Sequence, residues 1–135
     1  MRVVIDTNVV ISAILKENSV PALAVDLVAR EHTLLSSIDT QSEIHRVLAR
    51  PRFRRYLTAQ AMNLINTIFA ESEFTVITQS VTACRDPMDN KFLELALDGK
   101  ADFIISGDED LLCLTNYLGV PIITPAEFLT LWQIA

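Results

Sequence analysis

The side chains best suited to chemistry in this 135-residue chain are carboxylates: Asp6 in Asp6-Thr7-Asn8, Glu43, Asp86 and Asp89 in Asp86-Pro87-Met88-Asp89-Asn90, and Asp108 and Asp110 after Ser106-Gly107. Four convergent acids with no Lys or Arg expected among them would repel one another by a few kcal/mol per close pair at an effective dielectric near 20. A hard divalent cation offsets that repulsion: Mg²⁺ or Mn²⁺, as one ion or two, takes oxygen ligands and shares its shell with phosphate. Such an ion polarises a phosphoryl oxygen and lowers the pKa of bound water, which is the chemistry of phosphodiester hydrolysis. No protein nucleophile is then needed. That suits a chain with only two histidines, His32 and His45, both expected at the surface or at helix ends. Cys84 and Cys113 lack metal-ligand spacing and are expected to be reduced and mostly buried.

Each acid also has a structural use. Asp86 before Pro87 fits an N-cap with Asp89 at N3, Asp108 and Asp6 could cap the helices that follow them, and Thr40 to Glu43 fits a capping box. Capping does not demand a carboxylate every time, however, since Ser, Thr and Asn cap as well. The residues alone leave both uses open for each acid, and Asp86 is the one assigned to capping.

The elements that must position these groups alternate between strand and helix. Short β-branched runs at Arg2 to Ile5, Thr33 to Ser36, Phe74 to Ile77, Phe103 to Ser106 and Val120 to Ile123 read as strands, the first and fourth nearly continuous in Val, Ile and Phe as parallel strands covered on both faces are. Stretches with apolar spacing of three and four, at 8–15, 20–31, 39–50, 58–72, 87–99, 109–116 and 125–133, read as helices, with Gly99 and Gly119 as C′ residues. The expected fold class is α/β, a three-layer α/β/α sandwich around a parallel sheet of about five strands, forming one domain over 1–135. In such a sheet the strand C-termini form the ligand-binding edge, and carboxylates dominate that edge here. Trp132, Phe128, Leu129, Leu131 and Ile134 of the last helix are expected to close the core.

Composition narrows the function classes. Half the residues are hydrophobic and only three are glycine, which excludes a disordered chain. The apolar runs are far shorter than the roughly 20 residues that span a bilayer, and Met1-Arg2 leads into a strand without a signal core, so the expected setting is the cytoplasm with no membrane partner. A net charge of −6 argues against bulk electrostatic coating of nucleic acid. Yet five of the eleven basic residues, Arg46, Arg50, Arg52, Arg54 and Arg55, fall in one short stretch with Phe53 and Tyr56. Arginine forks match phosphate and stack on bases, so this stretch is the expected RNA-binding patch, although a solvated helix end would look the same. The segment from Asp86 to Asp110 carries eight of the seventeen acids, which separates metal binding from backbone binding.

Four motifs follow one another over essentially the whole chain: Ile5-Asp6-Thr7-Asn8-Val9-Val10-Ile11-Ser12; Ser42-Glu43-Ile44 with Val47-Leu48 and Arg50-Pro51; Arg85-Asp86-Pro87-Met88-Asp89-Asn90-Lys91-Phe92-Leu93; and Ile105-Ser106-Gly107-Asp108-Glu109-Asp110. Together they resemble the PIN-domain family, in particular bacterial toxins of type II toxin–antitoxin pairs related to VapC-like toxins. The resemblance implies a PIN fold and an Mg²⁺- or Mn²⁺-dependent endoribonuclease. It implies that Asp6, Glu43, Asp89 and Asp108 are the catalytic, metal-holding acids, that Asp110 shares the fourth acid's work, and that Asn8 and Ser106 are supporting polar residues. It further implies an antitoxin partner that inserts into the acidic groove, and homodimers. Two other readings compete on the residues alone. A phosphotransfer domain of the haloacid dehalogenase or receiver kind would phosphorylate Asp6, but it wants Asp where Asn8 stands. A catalytically silent binding module would hold RNA or protein without cleaving.

Overall fold

The computed structural model describes residues 1–132. Among these, six strands form a sheet in the order β3-β2-β1-β4-β6-β5: β1 (Arg2–Ile5), β2 (Thr33–Ser36), β3 (Glu73–Phe74), β4 (Phe103–Ile105), β5 (Asn116–Tyr117) and β6 (Val120–Ile123). All neighbours pair in parallel except β5 and β6. The helices are α1 (Thr7–Leu15), α2 (Val20–Glu31), α3 (Ile38–Leu48), α4 (Ala59–Glu71), α5 (Asn90–Asp98), α6 (Glu109–Leu112) and α7 (Pro125–Leu131).

Strand periodicity sorts the core into two. Val3, Ile5 and Ile105 face one side, where they meet buried residues of α1, α2, α3 and α4 together with Phe128 of α7. Val4, Leu35, Ile104 and Ile122 face the other and meet Phe92, Leu93, Leu95 and Ala96 of α5 and Leu111 of α6. The three-layer α/β/α arrangement follows, as the periodicity requires. Among the described residues no helix is long and apolar enough to cross a membrane.

Differences from the sequence reading have local causes. The expected sheet of about five strands gains β5, an antiparallel edge formed by a two-residue hairpin. Leu118 at φ 49° and Gly119 at φ 90° make the turn, so Gly119 serves a hairpin rather than a helix end. The helix expected at 109–116 stops at Leu112, because the chain must reverse into that hairpin, with Thr115 at φ 57°. The third strand is shorter than Phe74 to Ile77, since β2 offers only Leu35 and Ser36 as ladder partners. The helix expected at 39–50 ends at Leu48. Pro51 holds Arg50 extended, and Pro51–Tyr56 forms a separate 3-10 turn. In α7, Phe128 is fully buried, whereas Leu131 is 58% and Trp132 37% exposed; Ile134 lies outside the described residues.

Gly99 closes α5 against the sheet. A Cβ there would lie 2.7 Å from Leu35 Cδ1 and 2.9 Å from the Leu95 carbonyl oxygen. Gly99→Ala should therefore lower unfolding stability by about 1–2 kcal/mol in a urea titration; an unchanged midpoint would mean that Leu35 yields freely.

Candidate functional site

The strand order reverses between β1 and β4: β2 and β3 extend from one side of the pair, β6 and β5 from the other. A crevice opens above the carboxyl ends at such a reversal. Asp6 follows β1 into it, and Ser106-Gly107-Asp108 follows β4. The Asp6 carboxylate is only 2% exposed, accepting from the Asn8 backbone N–H at 3.3 Å and from Ser106 Oγ at 2.7 Å. Ser106 Oγ in turn accepts from the Asp108 backbone N–H at 3.0 Å, so one fully buried hydroxyl links the two strand-end acids. Asp108 caps α6 through Asp110 N–H at 2.9 Å. Capping thus occupies Asp6 and Asp108 in part, as their position predicts, and leaves further lone pairs on each carboxylate.

Glu43 comes from α3. The expected capping box of Thr40 and Glu43 is displaced: Ser37 is the N-cap and Thr40 its N3 partner, bonded reciprocally. Glu43 therefore stands mid-helix with its side chain free of the backbone, where it accepts from Thr7 Oγ1 at 2.5 Å and pairs with Lys91 and with Arg46, the last at 3.4 Å. Arg85 pairs with Asp110 at 3.0 Å. The expectation that no Lys or Arg lies among the acids is thus overturned. The Lys91–Glu43 pair bridges two helices, and nothing local in the sequence announces it.

Helix α5 also positions the chain before it. Asp98 accepts from the Thr78 and Gln79 backbone N–H groups at 2.6 and 3.1 Å, Glu94 from Val81 N–H at 3.0 Å, and Asn90 from Cys84 N–H at 2.9 Å. These three side chains, at i, i+4 and i+8, form one stripe that satisfies a segment lacking sheet partners. It leads Asp86 to the crevice. Asp86 caps the Pro87–Asp89 turn through Met88 N–H at 3.0 Å, as assigned, yet it also joins Asp89 and Asp110 in a group whose ligand oxygens all lie within 4.8 Å of one another. Sequence reasoning left Asp86 out of the site because a cap explained it.

Asp89 has no such occupation. It makes no capping bond, is 8% exposed, and its Oδ2 is buried without a hydrogen-bond partner. Burial, a hydrogen bond from its carboxyl to Asp108 and the nearby charges of Asp108, Asp6 and Asp86 push its pKa up to about 7. Asp6 is also raised, by burial and then, against its hydrogen bonds, by the charges of Asp108 and Glu43. Two neighbouring carboxyls share a hydrogen bond only when one holds a proton. The site is thus short of positive charge around Asp89, and its donors are all oxygens, which suits a hard divalent cation.

The remaining sequence candidates distribute around this cleft. Asn8 lines a cavity of about 610 Å³ that continues from Asp108 past Gly107, Ser12 and Thr124. Of the arginines, Arg46 reaches the cleft through Glu43. Arg52 stacks on Phe53 at 4.7 Å and Arg55 on Tyr56 at 5.0 Å, and Arg50 and Arg54 are exposed beside them. Arg55 borders a second cavity with Leu15, at the opposite end of α1 from Asp6 and roughly 13 Å along it at 1.5 Å per residue. His32 ends α2 as expected, but it is packed between Phe128 and Trp132 rather than at the surface, and burial lowers its pKa. His45 lies edge-on to Phe69. Cys84 is buried, with its thiol pushed up to about 11 by burial and nearby acids, while Cys113 is exposed, contrary to the expected burial.

Comparison with known proteins gives three findings. A family model described as PIN domain matches residues 2–110. An uncharacterized protein of Methanocaldococcus jannaschii (MJ1680) is 35% identical over 141 residues, covering 96% of this chain and 90% of that protein. The crystal structure of VapBC2 from Rickettsia felis bound to a DNA fragment from their promoter superposes with a TM-score of 0.59 at 12% identity, covering 90% of this chain and 97% of that one. The last likeness is one of fold.

The raised pKa of Asp89 fixes a sign. Native protein binds a proton that unfolded protein has released between about pH 4 and pH 7, so metal-free stability falls as pH rises through that window. Asp89→Asn removes this slope. In EDTA it should be more stable than wild type by roughly 1–3 kcal/mol at about pH 8, with the difference vanishing near pH 4, as read by denaturant titration. A variant destabilised at both pH values would identify Asp89 as a structural cap.

Proposed function

We propose that this chain, which belongs to the PIN-domain family of nucleases, is a divalent-metal-dependent endoribonuclease, working as a single domain in the cytoplasm as the toxin of a toxin–antitoxin pair. The observation that carries the reading is Asp89, whose buried, unpartnered Oδ2 stands in a cleft at the β1–β4 reversal whose candidate ligands are carboxylate oxygens. Asp89, Asp6 and Asp108, with Asp110 and Asp86, would hold Mg²⁺ or Mn²⁺, with Glu43 on the α3 wall. Bound there, the ion supplies Lewis acidity toward a phosphoryl oxygen and a water of lowered pKa.

The chain's own groups do the rest. Ser106 ties the Asp6 carboxylate to the backbone of Asp108, donating its hydroxyl hydrogen to the first and accepting from the N–H of the second. Asn8 and the adjoining cavity receive the nucleotide beside the cleaved bond. Arg46, Arg50, Arg52, Arg54 and Arg55 meet backbone phosphates, which lets a chain of net charge −6 hold a polyanion locally. Phosphotransfer through Asp6 fits less well, because that chemistry wants a second acid two residues on, where this chain has Asn8. The fold likeness to VapBC2 supports an antitoxin as partner; in this reading the acidic cleft is the surface it would cover, and the toxin would work as a homodimer.

The test is cleavage of RNA in Mn²⁺ and in EDTA. Asp6→Asn and Asp89→Asn should each lose more than about 100-fold in rate, as loss of a metal carboxylate predicts. Cleavage that persists in EDTA, or that survives Asp89→Asn, would overturn the reading. Replacing Arg50 and Arg52 with Ala should leave Mn²⁺ affinity unchanged. It should also reduce the slope of log affinity for single-stranded RNA against log salt by about 1.4, measured between about 50 and 200 mM.

A further inference from the structure

The acidic cleft has two unequal halves. On the α3 side, both oxygens of Glu43 are engaged, Oε1 by Thr7 and Oε2 by Lys91 and Arg46. Lys91 is as enclosed as its partner, with side chains 11% and 14% exposed. It rises from the first turn of α5, two residues after Asp89, so the helix that follows the least satisfied acid of the site carries a cation into it. On the other side Asp89 Oδ2 is buried and bare, and an oxygen of the Asp89 carboxylate lies within 4.8 Å of oxygens of Asp86 and Asp110.

A second divalent ion using Glu43 would have to displace an ammonium already in contact with that carboxylate, or share the space with it. Both options are unfavourable, because like charges repel strongly where water is excluded. Expelling Lys91 without a new partner would strand a charge in a partly buried position. The ion near Asp89 meets only Arg85 on Asp110, and that guanidinium is 61% exposed and can turn into water without being stranded. We propose that the cleft takes one divalent ion, on the Asp89 side, and that Lys91 is a positioning residue whose ammonium fills the place beside Glu43 that a second ion would need. The proposal rests on the metal-dependent reading above and goes beyond it by fixing the number of ions and naming the side chain that fixes it.

The experiment is titration of the metal-free chain with Mn²⁺ alone, counting bound ions by electron paramagnetic resonance and calorimetry. Wild type and Lys91→Arg should bind one ion, since Arg keeps the charge, whereas Lys91→Met should bind two. Removing both charges, in Glu43→Gln with Lys91→Met, should return the count to one, with Kd within about threefold of wild type. That double variant, with Lys91→Arg, decides the matter if Lys91→Met alone does not fold. Two ions on wild type, one ion on folded Lys91→Met, or a loss of more than about tenfold in affinity in the double variant would each overturn the proposal while leaving metal dependence intact. No Mn²⁺ bound to wild type would instead remove the metal-dependent reading, and this inference with it.

Discussion

Carboxylates crowded above the ends of β1 and β4 are the constraint to which the rest of the structure answers. Parallel neighbours deliver their C-terminal loops to the same edge, and Asp6 and Asp108 follow adjacent strands, so they cannot avoid one another. Helix α3 adds Glu43, and the turn that leads into α5 adds Asp89. Such a concentration of like charge in a partly dry crevice is unfavourable unless protons, cations or hydrogen-bond donors compensate it.

The compensation is uneven. Ser106 serves Asp6 with its hydroxyl hydrogen and Asp108's amide with its oxygen, which makes this small buried residue the joint between two strands. Lys91 and Arg46 neutralise Glu43, and Arg85 attends Asp110. Asp89 receives no cation among the described ion pairs and takes up a proton near neutral pH instead. A stability-driven arrangement would have placed an amide or a basic side chain there. Retaining an underpaired acid is what a site needs if its missing charge is to come from outside the chain.

Helix α5 organises more than it contributes to the core. Its apolar face packs Phe92, Leu93, Leu95 and Ala96 beneath the sheet. Asn90, Glu94 and Asp98 hold the extended approach to Asp86, and Asp89 and Lys91 open into the cleft. Core, loop and site are therefore coupled through nine residues, and Gly99 at the helix end lets that helix lie against Leu35.

Periodicity in the sequence determined the α/β class, the positions of β1, β2 and β6, and the placing of the acids at the C-terminal edge of the sheet. Those features follow from local patterns: two-residue alternation, three-and-four spacing, and the rule that parallel strands present their ends together. The motif order was enough to indicate the family. Tertiary structure alone decided how the charges are distributed. The Lys91–Glu43 pair spans 48 positions, the Ser106–Asp6 bond spans 100, and the α5 stripe that guides Asp86 spans up to 20. A capping motif explains Asp86 in one dimension and hides its second role in three. Local preference sets where a backbone turns, whereas the partner of a charged side chain is set by which helices the closed core brings together.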